Sequence, residues 1–78
     1  MEIERLIAMA NQIGEFFEAQ RDHAVAVNAV AQHIKSFWEP RMRRQILQYA
    51  RGDNGELRAI VREALMTLEP PKPPDPQN

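Results

Sequence analysis

Apolar residues recur at steps of three and four through most of the chain, and breaks in that recurrence divide it into four segments. Ile3, Leu6, Ile7, Ala10, Ile13, Gly14 and Phe17 share one stripe, which predicts an amphipathic helix from about Ile3 to Ala19. Gly14 lies on the buried side, where it costs about 1 kcal/mol against Ala but lets a neighbouring helix come close. Met9 and Phe16 fall beside the stripe, as part of a wide core face or as a second apolar strip left for another chain. Asp22 is the expected N-cap of a second helix from about His23 to Trp38. Its stripe is Val27, Val30, Ala31, Ile34, Phe37 and Trp38, with Asn28, Gln32 and Lys35 opposite.

Pro40 then interrupts the pattern. It biases Glu39 away from helical geometry and is itself welcome at a first helical position, so Glu39-Pro40 reads as a corner between two helices. The third helix, from Pro40 to about Arg51, has Met42, Ile46, Tyr49 and Ala50 on its apolar side and Arg41, Arg44, Gln48 and Arg51 on the other. Gly52 stands where a C-terminal cap belongs. Asp53-Asn54-Gly55 signals a turn. Leu57, Ile60, Val61, Ala64, Leu65 and Leu68 then predict a fourth helix from about Glu56 to Leu68. From Pro70, PPKPPDPQN carries five of the six prolines and nothing to bury, as in an extended tail. The expected fold is an all-α, single-domain bundle of three to four helices over residues 1–69, followed by a flexible Pro-rich tail over 70–78.

Composition narrows the function classes. A chain of 78 residues without Cys has no disulfide staple and no thiolate site. A domain this small often leans on a partner, and the isolated chain is a candidate for self-association. The start, Met1-Glu2-Ile3-Glu4, is acidic where a secretory signal is basic, and no apolar run approaches the roughly 20 residues of a membrane span. A cytoplasmic protein without a membrane partner is the expectation. The net charge of −1 argues against a general nucleic-acid binder. Lys35, Arg41, Arg43, Arg44 and Arg51 nevertheless stand against Glu39 alone between positions 35 and 51, a local excess of +4 that leaves −5 elsewhere.

Catalytic constellations are poorly represented. His23 and His33 are ten residues apart, about 15 Å along one helix, too far to share a metal. His33 and Ser36 could touch, but no third group orients the His and no Gly-rich elbow presents the Ser. The three Gly form no phosphate-cradling pattern. Two binding readings remain. In one, Arg41, Arg44 and Arg51 of the third helix contact nucleic-acid phosphates, as in a small helical regulator. In the other, the stretch from Trp38 to Arg44 docks into a protein, where Trp, Met and Arg are favoured.

Two segments bear on that choice: MANQIGEFF at Met9–Phe17 and HIKSFWEPRMRRQIL at His33–Leu47, with LRAIVREAL at Leu57–Leu65 as a looser third. Through them the chain resembles the delta subunit family of soluble NAD-dependent formate dehydrogenases. Lys35-Ser36 stands where that pattern is more basic, and the Pro-rich tail lies outside it. The resemblance implies a noncatalytic small subunit, or an assembly and stabilising factor, that binds the large molybdenum-containing catalytic subunit. Formate oxidation with NAD would belong to partner subunits carrying molybdopterin, iron–sulfur clusters, FMN and NAD, with no cofactor on this chain. Trp38 would anchor the interface, Pro40 set the corner, and Arg41, Arg43 and Arg44 pair with acidic groups, with Met42 beside them. Asn11 and Gln12 would contact either the third helix or the partner.

Overall fold

Residues 2–52 and 55–68 are described by the computed structural model. They form α1 (Ile3–Phe17), α2 (His23–Phe37), α3 (Pro40–Arg51) and α4 (Ala59–Met66), with no strand among the described residues. The Asp53-Asn54 part of the expected turn and the Pro-rich tail lie outside the described residues.

Local chemistry accounts for most boundaries. The Asp22 carboxylate accepts from the amides of Ala24 at 2.9 Å and Val25 at 3.4 Å, satisfying two otherwise orphaned donors at the start of α2. Pro40 occupies the first turn of α3, and Glu39 before it is extended, at φ −65° and ψ 152°. Two boundaries differ from expectation. Helix α1 ends at Phe17 rather than Ala19, because the Gln20 amide turns back onto the Phe17 carbonyl at 3.0 Å. Helix α4 begins at Ala59 rather than Glu56, because the backbone at Glu56 and Arg58 is tied to α1 instead of entering the helix. Gly52 does cap α3, but in extended geometry, so the left-handed freedom of a Gly is not used there.

Helices α1 and α4 each pack on all the others, and α2 lies most extensively along α4. Leu6, Val30, Ile34, Ile46, Val61 and Leu65 are the largest fully buried side chains. Each such aliphatic side chain contributes about 1.5–3 kcal/mol relative to an exposed one. The α1–α4 contact passes over Gly14. A Cβ there would lie 2.5 Å from Val61 Cγ2 and 3.2 Å from Ile60 Cγ2, so the helices meet at a distance that only Gly permits.

The sequence pattern placed Phe37 in the core beside Trp38. Instead Trp38 is 5% exposed and Phe37 is 74% exposed. The helix ends between them. Trp38 leaves helical geometry at φ −88° and ψ 137°, and its indole fills the interior under the corner. Phe37 remains on the last turn of α2, beyond the reach of the other helices' buried faces.

Candidate docking surface at the helix corner

The corner between α2 and α3 is locked from inside. The Trp38 amide closes the last turn of α2 onto the Ile34 carbonyl at 3.0 Å, after which the chain extends into Pro40. One turn into α3, Arg43 reaches back. Its Nη1 donates to the Trp38 carbonyl at 2.9 Å and to the Lys35 carbonyl at 3.2 Å. These carbonyls lack helical partners, and a cation at a helix C-terminus also opposes the negative end of its dipole. Half-buried Arg43 therefore binds its own fold.

The rest of the basic cluster faces outward. Arg41, Arg44, Gln48 and Arg51 are all exposed on one side of α3, as their spacing predicts. Neither Arg41 nor Arg44 meets an acidic side chain among the described residues. Pro40 is exposed beside them, whereas Met42 is half-buried and packs against the core. Trp38, expected as a surface anchor, supports the corner from below and presents no ring to solvent. The structure thus brings Pro40, Arg41 and Arg44 together on the surface and places Trp38, Met42 and Arg43 beneath or beside them as support.

Asn11 and Gln12 separate in role. Gln12 is exposed. Asn11 uses both ends of its carboxamide on the segment before α4: Nδ2 donates to the Glu56 carbonyl at 2.8 Å, and Oδ1 accepts from the Arg58 amide at 2.8 Å. Leu57, between those two bonds, is drawn into the core. Nearby, Arg58 pairs with Glu18 at 3.0 Å and more distantly with Glu15 at 3.9 Å. The Tyr49 hydroxyl donates to Glu56 Oε2 at 3.1 Å. Partial desolvation and this carboxylate raise the Tyr49 pKa above its ordinary value of 10.0. These bonds all hold the loop into α4 against the bundle.

One surface feature was not legible as a unit. Phe16, Phe17, His33 and Phe37 form a row of rings where the end of α1 crosses α2. Phe16 meets Phe17 edge-on at 5.0 Å, Phe17 meets His33 at 6.2 Å, and His33 lies 4.7 Å from Phe37. His33 and Phe37 are four apart and share a helix face, which was the available signal. The α1 half of the row could not be read from that spacing. Among the described residues, no group of three or more His, Cys, Asp or Glu side chains could hold a metal ion, and no helix is long and apolar enough to cross a membrane.

Residues 5–65 match the family model described as NADH-dependent formate dehydrogenase delta subunit FdsD. No curated protein and no solved structure matches the chain significantly.

Proposed function

The chain belongs to the formate dehydrogenase delta subunit family, and from that premise we propose that it is a noncatalytic subunit or assembly factor binding the large molybdenum-containing subunit. On this reading formate oxidation, molybdopterin, iron–sulfur clusters, FMN and NAD all belong to partner subunits, and the chain works beside them in the cytoplasm. The observation that carries the reading is the corner itself. Arg43 and Trp38 hold it rigid from inside, while Arg41 and Arg44 stand outward without acidic partners among the described residues. The fixed corner sets where the two Arg side chains leave the backbone, and Arg is favoured at such contacts.

The test is a pull-down of the large subunit by the wild-type chain and by a double variant, Arg41→Ala with Arg44→Ala. At low salt the wild type is expected to retain the large subunit and the variant to bind more weakly, and raising the salt should narrow that difference, since exposed charge contacts are screened. No capture by the wild-type chain would refute the assignment. The purified chain alone is expected to oxidise no formate. A stoichiometric flavin, nucleotide or metal in chelator-washed protein would overturn its noncatalytic role.

A further inference from the structure

The two ends of the aromatic row lie outside the core. Phe16 is 73% exposed and Phe37 is 74% exposed. With about 200 Å² per ring, the two together leave roughly 300 Å² of apolar surface in water, the size of a patch that is often functional on a monomer. Half-buried Phe17 and His33 fill the space between them, so the rings form one continuous strip from α1 to α2. The two segments through which the chain resembles its family, Met9–Phe17 and His33–Leu47, meet at this strip.

We infer that the strip from Phe16 to Phe37 is a docking surface for a partner chain of the formate dehydrogenase complex, received in an apolar groove of that partner. The inference rests on the reading of this chain as a subunit and adds a second face to it, apart from the Arg41–Arg44 side. Three observations select the occupant. The family is one of subunits, so another chain is available to cover the strip. A second copy fits poorly by area, since a stable interface takes about 800 Å² from each side, well beyond what this strip offers. It also fits poorly by shape. Phe16 and Phe37 project outward, so a two-fold pairing would set rings against rings with no cavity to receive them. A concave apolar surface on a larger chain can receive both rings and extend the contact past the strip onto its surroundings, and exposed aromatic side chains entering such pockets dominate binding.

The experiment measures binding to formate dehydrogenase subunits coexpressed and purified without this chain. The probe proteins are wild type, the double variant Phe16→Ser with Phe37→Ser, and Val25→Ser. Val25 is another exposed apolar side chain on α2, but it lies outside the row. The double variant is expected to bind roughly thirtyfold or more weakly, the loss typical of a central aromatic contact. Val25→Ser is expected to bind as wild type does. Melting curves for all three should coincide, which separates lost docking from lost folding. Wild-type binding with an undiminished double variant overturns the inference while leaving the subunit assignment standing. No wild-type binding overturns both. A wild-type dimer that the double variant converts to monomer would identify a second copy as occupant and overturn the proposed partner.

Discussion

Asn11 Oδ1 accepts the amide of Arg58, 47 positions later, at 2.8 Å, and that bond decides where α4 begins. Its Nδ2 holds the Glu56 carbonyl at the same distance, so one side chain pins both ends of a three-residue segment. Replacing Asn11 with Ala is expected to destabilise the fold by about 0.5–1.5 kcal/mol per hydrogen bond lost, since water can reach the freed groups. Asn11→Asp should cost nearly as much, because it removes the donor and sets a carboxylate against a carbonyl oxygen. Urea unfolding of the two variants, with hydrogen exchange at the Arg58 amide, measures this. An Asn11→Asp protein as stable as wild type would show that the Glu56 bond contributes nothing.

Gly14 against Val61 gives a sharper contest of signs. Ala is the better helix former by about 1 kcal/mol. A Cβ at that position, however, would come 2.5 Å from Val61 Cγ2. Val61 is fully buried and stiff at its branch, so it cannot swing away cheaply. Overpacking of this kind costs about 1–3 kcal/mol, and Gly14→Ala is expected to be net destabilising. Adding Val61→Ala should then cost less than it does in the wild-type background. A thermal-melt double-mutant cycle reads that coupling, and strict additivity would contradict the predicted clash.

Arg43 and Arg44 are neighbours with opposite expectations. Arg43→Ala removes donors from two carbonyls at the end of α2 and is expected to cost about 1 kcal/mol, the low side for a charged hydrogen bond at a partly exposed site. Arg44→Ala should stay within about 0.5 kcal/mol of wild type. Partner binding should respond in the opposite order once each protein is folded. Equal melting temperatures for the two variants would dismiss the corner lock.

Trp38→Ala should be the most damaging single change at the corner, at about 3–5 kcal/mol, because it empties a large core site. Its effect on partner binding should disappear in whatever fraction remains folded. Binding by folded Trp38→Ala protein, measured well below its melting temperature, distinguishes support of the surface from direct contact. Persistent loss of affinity there would return Trp38 to the interface.

Tyr49 is the chain's one tyrosine, so its ionisation can be followed by tyrosinate absorbance without overlap. Desolvation and the Glu56 carboxylate favour its neutral form, and its folded pKa lies above the value in the unfolded chain. The resulting stability is present below the unfolded pKa of about 10 and is lost as pH rises through the folded value. Tyr49→Phe should flatten that alkaline decline. A tyrosinate midpoint at or below that of the urea-unfolded protein would reverse the sign and remove the argument.

The helices themselves were legible because their causes are local. Apolar spacing marked the buried faces of all four, Asp22 marked the start of α2, and Pro40 marked the corner and the first turn of α3. The exposed row of Arg41, Arg44, Gln48 and Arg51 also followed from spacing alone. Periodicity states which side of a helix is apolar, but not which residue across the core meets it. The closeness of Gly14 to Val61, the bracket from Asn11 to Glu56 and Arg58, and the aromatic row joining α1 to α2 depend on contacts between distant segments. Trp38 and Phe37 show the limit most directly. Both extend the same apolar stripe, and the helix break between them sends one into the core and leaves the other in water. Arg43 likewise has the same charge as Arg41 and Arg44, and only the return of α3 across the end of α2 brings backbone carbonyls within its reach.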